Sequence, residues 1–271
     1  MDFLFIIRFI DIVIKKFAVF EIDVIWLSSP GPYEYLPNIR HGVFVLLIKI
    51  YFRIIDYTMN NISKIPKATI TRLSLYLRQL ELLEFDGYRM VSSGKMAWLC
   101  QVNPAQVRKD LGYFGEFGIR GVGYDVIDLQ EEIKKILAIN REWNVGIVGL
   151  GNLGLALLKY QNFQARGFYF VAAFDSDPLK IGRELTGGLK VFDFRDIKKI
   201  VEELGIDIGV ITAPASEAQK IAENFFRANV TAILNFSSAQ IHTPSHCIVE
   251  NIDFTVKLDI LTYKLKNVIG I

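Results

Sequence analysis

The sequence predicts a two-domain α/β protein in which a small helical domain precedes a domain built on a parallel β-sheet. Three observations lead to this prediction. A β-branched apolar run at residues 145–148 is followed by a glycine-rich turn and a helical pattern, which is typical of a βαβ unit. An Asn-Pro pair at residues 103–104 opens a short helix in the first half of the chain. A strongly apolar helical pattern at residues 253–266 predicts a last helix that packs against another surface.

Length and charge narrow the possible functions. The chain has 271 residues, enough for two domains, and a net charge of only +2. Any interaction with nucleic acid must therefore depend on local charge. The two cysteines, Cys100 and Cys247, form neither a C-x-x-C motif nor a metal-ligand spacing, so we expect a reduced cytoplasmic protein.

The first 58 residues differ from the rest. Their apolar runs are broken by charged residues and are too short for a membrane span, and Asp2 stands where a signal peptide carries basic residues. Three interpretations are open. The segment is an amphipathic membrane-surface helix, an accessory helical hairpin, or an artefact of a gene whose true start is Met59. We prefer the third, because a well-patterned soluble sequence begins at Met59.

A helix-turn-helix is predicted ahead of the sheet domain. Its three helices are expected at residues 69–85, 94–100 and 105–114. Thr69 is expected to cap the first helix, and Gly87 follows its end. Asn103 is expected to cap the third, with Pro104 in its first position. A tight turn between two short helices is the arrangement that places a recognition helix in a DNA groove.

Side-chain types on the third helix favour DNA. Gln106 and Arg108 suit base edges, and Lys109 suits phosphate or guanine. The glycine-rich segment 115–123 predicts a β-hairpin wing with Arg120 at its tip, placed to enter a minor groove. Residues 59–124 contain nine Lys or Arg and five acidic residues, a local charge of +4. The alternative is a small helical bundle with solvated charges.

The glycine-rich turn has the G-x-G-x-x-G spacing of a dinucleotide-binding loop. Gly149 allows the tight turn, Gly151 lets backbone N–H groups approach a pyrophosphate, and Gly154 lets the helix pack close to the strand. Leu150, Asn152 and Leu153 complete the predicted loop, and the helix that opens there favours phosphate at its N-terminus. The alternative is a glycine-rich turn without a ligand.

A second strand, predicted at residues 168–174, ends in Asp175, 21 residues beyond Gly154. A carboxylate at that position suits the ribose 2′-hydroxyl of NAD and repels a 2′-phosphate. Later strand ends bring Pro214, Asn235 and Phe236 to the same edge of the sheet, where open α/β folds bind ligands. These residues are the predicted cofactor site.

The rest of the chain carries secondary structure but no legible catalytic or metal site. Further strands are predicted at residues 190–192, 207–212 and 232–235, and further helices at 125–141, 194–204, 217–229 and 253–266. Pro244 between His242 and His246 breaks the helix that a metal-binding pair would need. We therefore predict no metal ligands and no catalytic residues.

The motifs resemble those of the Rex family of redox-sensing transcriptional repressors. The resemblance covers about residues 62–266 and is most specific in Val107-Arg-Lys-Asp-Leu111 and in the glycine-rich segment that follows. Further matching segments are Lys64-Ile-Pro, Tyr76-Leu-Arg78, Gly149-Leu-Gly-Asn-Leu-Gly154, Ala173-Phe-Asp175, Lys180-Ile-Gly182 and Ile233-Leu-Asn-Phe236.

The resemblance implies an N-terminal winged helix-turn-helix domain and a Rossmann-like NAD-binding domain with a C-terminal domain-swapped helix. It also implies a cytoplasmic homodimer that binds a palindromic operator in double-stranded DNA, with NADH and NAD⁺ as regulatory ligands and NADH releasing the DNA. By the same resemblance, Arg72 is expected among the DNA-binding residues. A switch is implied in which Asp253 alternates between Tyr160 and Arg78.

The expected domain boundaries are 1–58 for the atypical extension, 59–125 for the winged helix, 126–142 for a linker helix, 143–252 for the Rossmann domain and 253–271 for the dimerisation helix.

Two other function classes stay open. An NAD-dependent dehydrogenase would need a substrate domain and a catalytic acid or base. A CoA- or nucleotide-binding module would need only the sheet domain.

Overall fold

The computed structural model describes residues 65–269, so the interpretations of residues 1–58 lie outside the described part of the chain. The described residues divide into two compact units. The first contains residues 65–79 and 93–117, and the second contains residues 80–92 and 118–269. Helix α1 begins in the first unit and ends in the second.

The first unit is helical. Its helices are α1 (Lys67–Phe85), whose residues from Leu80 belong to the second unit, α2 (Ser93–Leu99) and α3 (Pro104–Gly112). The Asn103 side chain accepts a hydrogen bond of 2.7 Å from the Gln106 backbone N–H, which confirms the predicted cap of α3. The predicted cap of α1 is wrong, because the buried Thr69 hydroxyl donates to Asp110 on α3 instead.

The wing differs in detail from the predicted hairpin. A two-residue strand β1 (Met90–Val91) pairs in antiparallel fashion with β2 (Tyr124–Asp125). Between α3 and β2, a bridge from Ile119 to Gly123 closes a short turn. The glycine-rich segment thus supplies only that turn, and the strand that pairs with β2 comes from before α2. Several glycines with positive φ keep the segment from forming two regular strands of its own.

The second unit is built on a six-stranded parallel sheet with the order β5-β4-β3-β6-β7-β8. The strands are β3 (Trp143–Val148), β4 (Phe168–Asp175), β5 (Val191–Asp193), β6 (Ile208–Ile211), β7 (Ala232–Asn235) and β8 (Ile248–Asn251). This order is that of a Rossmann fold, in which the order of strand addition reverses beside the first strand and leaves a crevice at the carboxyl edge.

Helices accompany the sheet. They are α4 (Val126–Ile136), α5 (Asn152–Leu158), α6 (Ile197–Leu204), α7 (Ala215–Arg227) and α8 (Phe254–Ile269). Alternate residues of β3 enter separate apolar clusters, since Val145 and Ile147 belong to one and Val148 to the other. The sheet is therefore buried on both faces, as a parallel sheet requires.

Two sequence expectations for this unit need correction. Helix α4 ends at Ile136 rather than at residue 141, because Ala138 has a φ of +54° and leaves the helical conformation. Strand β8 (Ile248–Asn251) is not among the strands that the sequence predicts. No helix among residues 65–269 is long and apolar enough to cross a membrane.

Candidate functional site

The glycine-rich turn joins β3 to α5 at the carboxyl edge of the sheet. Gly149 has a φ of +98°, and a Cβ there would lie 2.8 Å from the Ala213 backbone nitrogen. A Cβ on Gly154 would collide with the Gly149 carbonyl oxygen. Gly151 has open space around it, and no side chain caps the first turn of α5. The tight turn expected at Gly149 and the close packing expected at Gly154 are therefore present, and among the three glycines Gly151 leaves room for a ligand.

Thr212 braces this turn from the end of β6. Its hydroxyl donates a hydrogen bond of 2.6 Å to the Gly149 carbonyl oxygen. A Cβ on Gly154 would also come within 2.9 Å of the same hydroxyl. The turn, the helix start and the end of β6 are therefore held together by this hydrogen bond and by close packing.

Asp175 ends β4 as predicted and is held by three hydrogen bonds. Its Oδ2 accepts from the Leu150 backbone N–H and from Lys180 Nζ, both at 2.9 Å, and its Oδ1 accepts from the Asp177 N–H at 2.9 Å. Burial of the carboxyl opposes ionisation, but these bonds outweigh it and lower its pKa below the ordinary value. The carboxylate is thus charged at neutral pH, and Oδ1 keeps one acceptor position for a ligand hydroxyl.

A cavity of about 450 Å³ lies beside Asp175. It is lined by Ser176, Pro178, Ile181, Asp193, Phe194, Arg195 and Lys220. The lining combines apolar side chains with a few polar ones, as is usual for small-molecule sites. Its position at the ends of β4 and β5 makes it the natural continuation of the predicted ribose site.

The three residues predicted on later strands have different environments. Pro214 is exposed and directly precedes α7. Phe236 is half-buried and packs against the first residue of α8, with ring centroids of Phe236 and Phe254 6.4 Å apart. Asn235 is fully buried, and its amide is engaged within the protein. It donates to the Ala239 carbonyl and the Asn251 side chain and accepts from Ser237. The Asn235 side chain therefore supports the loop after β7.

Two of the three predicted DNA-contacting side chains of α3 lie on its exposed face. Arg108 and Lys109 are exposed, and Arg108 donates a hydrogen bond of 2.9 Å to the Ser93 hydroxyl at the start of α2. Gln106 is half-buried. Arg120 is exposed in the turn between Ile119 and Gly123, at the position expected for a wing tip. Cationic and amide groups of this kind suit phosphates and base edges.

The Arg72 side chain bonds to a residue of α3. Its guanidinium is mostly buried and forms a two-pronged salt bridge with Asp110, with Nη2 2.7 Å from Oδ1 and Nε bonded to Oδ2. The Asp110 hydrogen bonds raise the pKa of Arg72 further. A guanidinium that neutralises a buried carboxylate stabilises the packing of α3 on α1. The DNA contact of Arg72 stays a prediction.

The three switch residues are not joined within the described chain. Arg78 lies exposed on α1. The Tyr160 hydroxyl accepts from Asn162 at 2.7 Å. Asp253 directly precedes α8 and accepts from the Thr255 backbone N–H and hydroxyl, which lowers the pKa of its carboxyl. The expected pairing of Asp253 with Tyr160 or Arg78 is untested by a single chain.

Sequence reasoning did not select Lys180 and Thr212 as site residues. Lys180 lies one turn beyond Asp177, and its approach to Asp175 depends on the fold of the short segment between them. Thr212 is the last residue before Ala213-Pro214, and only the sheet order brings it to the glycine loop. Within residues 65–269, no three His, Cys, Asp or Glu side chains form a cluster suited to a metal ion.

Two family models match the chain and divide it as the fold does. A model described as a putative DNA-binding protein N-terminus matches residues 64–112. A model described as a CoA binding domain matches residues 140–239. The first covers the helix-turn-helix and the second covers most of the sheet. Together with the two sites, they define the class of transcriptional regulators that carry a nucleotide-binding domain.

Curated relatives identify the family within that class. A redox-sensing transcriptional repressor Rex from Syntrophobacter fumaroxidans is 51% identical over 203 residues, which is 75% of this chain and 97% of the relative. The repressor from Solidesulfovibrio magneticus is 51% identical over 70% of this chain and 86% of its own length. The repressor Rex 1 from Thermotoga maritima is 45% identical over 75% of this chain and 97% of its own length. The chain belongs to the Rex family of redox-sensing transcriptional repressors.

Solved structures agree with this assignment. A crystal structure of RSP in complex with β-NAD⁺ and operator DNA matches with a TM-score of 0.72 and 33% identity, covering 75% of this chain and 93% of that one. RSP in complex with β-NADH matches with a TM-score of 0.69 and 31% identity, covering 75% of this chain and 95% of that one. The winged-helix and Rossmann-like parts of the predicted fold class are thereby confirmed.

Proposed function

We propose that this protein is a repressor that binds operator DNA through α3 and the wing and releases it when NADH binds to the sheet domain. One observation carries the proposal. The same polypeptide presents the exposed Arg108 and Lys109 on a capped helix and, in its second unit, a glycine loop beside a charged Asp175. The relatives are named as repressors rather than enzymes, so no hydride transfer is invoked.

DNA contact is assigned to four side chains. Gln106 and Arg108 read base edges, Lys109 contacts phosphate, and Arg120 enters the minor groove from the wing turn. Phosphate contacts supply affinity without sequence information, whereas base contacts supply specificity. Arg72 stays a predicted fifth contact, and its charge is paired with Asp110 inside the protein.

The cofactor site consists of the loop from Gly149 to Gly154, Asp175 with Lys180, and the strand ends at Pro214 and Phe236. The pyrophosphate lies over Gly151, where the structure leaves space. The ribose hydroxyl bonds to the open acceptor position of Asp175. The neutral ring of NADH is buried beside Phe236 at lower cost than the charged ring of NAD⁺, because burying a charge is unfavourable.

The proposed link between cofactor binding and DNA binding involves helices α8 and α1. Phe236 touches Phe254 at the start of α8, so a ring bound there bears on α8 directly. The second half of α1 is held in the second unit by an ion pair of 2.8 Å between Arg166 and Glu81, while its first half carries Arg72. NADH then shifts the population toward a conformation with lower operator affinity.

The working form is a cytoplasmic homodimer. Helix α8 exposes apolar side chains along its whole length, more than a surface helix of a monomer needs. They include Phe254, Leu258, Leu261, Tyr263 and Leu265. We place α8 against a second copy, where Asp253 pairs with Tyr160 or Arg78 according to the state of the cofactor. Two recognition helices in such a dimer match a palindromic operator, with half-sites one helical turn apart.

A titration tests the proposal. Full-length protein is mixed with a labelled palindromic duplex, and NADH or NAD⁺ is added at constant ionic strength. We expect NADH to weaken binding and NAD⁺ to weaken it far less. If neither cofactor changes DNA affinity at saturation, the proposed regulation is wrong. Sedimentation of a Leu261→Ser protein checks the dimer, because loss of an apolar contact on α8 must shift the mass toward a monomer.

One observation favours a second ligand. The family model that matches residues 140–239 is described as a CoA binding domain. CoA carries a 3′-phosphate on its ribose, and the Asp175 carboxylate disfavours a phosphate close to it. Calorimetry with CoA and NADH on the same preparation separates these ligands, and tighter binding of CoA would favour the second candidate.

A further inference from the structure

A single buried carboxylate organises the recognition helix. Asp110 of α3 has no exposed surface and accepts five hydrogen bonds. Three of its donors come from α1 and one from α3 itself, namely Thr69, Arg72, Tyr76 and Gln106. A carboxylate has about four lone-pair positions, so Asp110 is saturated. It has no capacity left for water or DNA.

The charge of Asp110 is balanced inside the protein. Burial opposes its ionisation, but the bonds from Arg72, Tyr76, Gln106 and Thr69 lower the pKa of the carboxyl below the ordinary value. Its negative charge is also neutralised by the Arg72 guanidinium. Asp110 therefore adds no net repulsion toward DNA, and the positive charges of Arg108 and Lys109, which precede it in the sequence, stay available for DNA.

Gln106 is the one member of the network that also lies among the DNA-contacting side chains. Its Nε2 donates to Asp110 Oδ1 at 2.8 Å. Because an ionised carboxylate only accepts hydrogen bonds, the carbonyl end of the Gln106 amide cannot take the place of its NH₂ end. The two ends of a glutamine amide are otherwise nearly equivalent in shape. Asp110 therefore sets which end of the Gln106 amide points away from the protein.

We propose that Asp110 determines base specificity by fixing the Gln106 amide, so that α3 presents its carbonyl oxygen and one remaining N–H to the major groove. This inference rests on the proposed role of α3 as recognition helix. The matching base is adenine, whose N6 amine donates and whose N7 accepts. Guanine offers two acceptors at the same edge, so it opposes the fixed carbonyl oxygen. Asp110 acts through Gln106 and is a positioning residue.

The test compares two variants of the full-length protein. Asp110→Asn gives position 110 both a donor and an acceptor, so either orientation of the Gln106 amide becomes possible. Tyr76→Phe is the matched control, because it removes one hydrogen bond from Asp110 Oδ2 and leaves the bond from Gln106 to Oδ1 intact. Fluorescence anisotropy measures each protein against an operator and a set of duplexes in which each base pair is changed in turn.

A Gln106→Ala protein identifies the base pair that Gln106 reads, as the position where discrimination is lost. At that pair, we expect Asp110→Asn to lower the preference for adenine over guanine by about fivefold or more, the lower end of what a bidentate base contact contributes. Tyr76→Phe must keep the wild-type preference. If Asp110→Asn weakens all duplexes by one common factor and leaves the preference unchanged, the proposal is wrong.

A second measurement needs no variant at position 110. Adenine at the identified position is replaced by purine, which lacks the N6 amine, and wild-type protein is titrated against both duplexes. The proposal predicts binding about fivefold weaker or worse for purine, and equal binding overturns it. Failure of the recognition-helix assignment looks different. In that case Gln106→Ala would discriminate among the duplexes as wild type does.

Discussion

Two aspartates, one in each unit, show how the same side chain serves different purposes. Asp110 and Asp175 are both buried, and both have a lowered carboxyl pKa. Asp110 accepts five hydrogen bonds, all from side chains. Asp175 accepts three, two of them from backbone N–H groups, and keeps an acceptor position open. A saturated carboxylate holds structure together, whereas an unsaturated one at a strand end is prepared for a ligand.

The largest effect on stability is expected from removing the guanidinium that pairs with Asp110. Arg72→Ala leaves the Asp110 carboxylate buried without its guanidinium, and removal of one partner of a buried ion pair costs about 3–5 kcal/mol. We expect the free energy of unfolding of the full-length protein to fall by about that amount in urea titrations. Arg227→Ala is the control, since its pair with Glu223 is exposed and worth less than about 1 kcal/mol. Equal effects from the two variants would show that Asp110 is not a structural centre.

Asp175→Ala removes the unsaturated carboxylate. Hydrogen bonds to a charged group contribute about 1.5–3 kcal/mol, so NADH affinity should fall about 10- to 100-fold in calorimetric titrations. Operator affinity without cofactor should change little. Glu203→Ala, on the exposed face of α6, is the matched control for loss of one negative charge. An NADH affinity as high as that of wild type would remove Asp175 from the cofactor site.

The exposed cations of α3 contrast with Arg72, because Asp110 does not neutralise them. Arg108→Ala should cost about 1–3 kcal/mol of operator affinity and relax discrimination at one base pair. Lys109→Ala should weaken binding to all sequences alike and reduce the salt dependence by about one counterion. Lys198→Ala, an exposed cation on α6, should do neither. An Arg108→Ala protein with unchanged operator binding would contradict the recognition-helix assignment.

The smallest effect concerns pH. Because the folded-state pKa of Asp110 is lowered, the folded protein binds its proton only at lower pH than the unfolded chain does. Its stabilising contribution is complete above about pH 4, the ordinary pKa of Asp, and is lost as the pH falls through the folded-state pKa. Asp110→Asn should therefore show a shallower loss of stability as the pH falls below about 4. An identical slope in acid urea titrations would show that other carboxyls carry the dependence.

Local patterns were sufficient for much of the fold. The Asn103-Pro104 cap, the glycine loop and the apolar runs of β3 and β4 depend on neighbours in sequence. Strand β8 escaped prediction because Ile248–Asn251 has no apolar run, lies at the sheet edge and is mostly exposed. Its identity as a strand comes from pairing with β7.

The candidate cofactor site was predictable where it depends on spacing along the sequence, and unpredictable where it depends on contacts between distant residues. Asp175 could be selected because its spacing from the glycine loop is fixed by one βαβ unit. The internal partners of Arg72, Thr69 and Asn235 could not be predicted, because each bonds to a residue that the fold brings near. Arg72 and Thr69 bond to Asp110 on another helix, and Asn235 bonds to Asn251 on another strand. A polar residue type alone does not reveal whether its partner is a ligand or the protein itself.

The most direct test of the central claim is to measure the coupling between cofactor and operator in both directions. NADH affinity is determined by calorimetry with and without saturating operator, and operator affinity is determined with and without saturating NADH. We expect each ligand to weaken the binding of the other by the same factor, as thermodynamic linkage requires. If NADH binds equally well to the free protein and to the operator complex, the two sites are independent and NADH does not regulate this repressor.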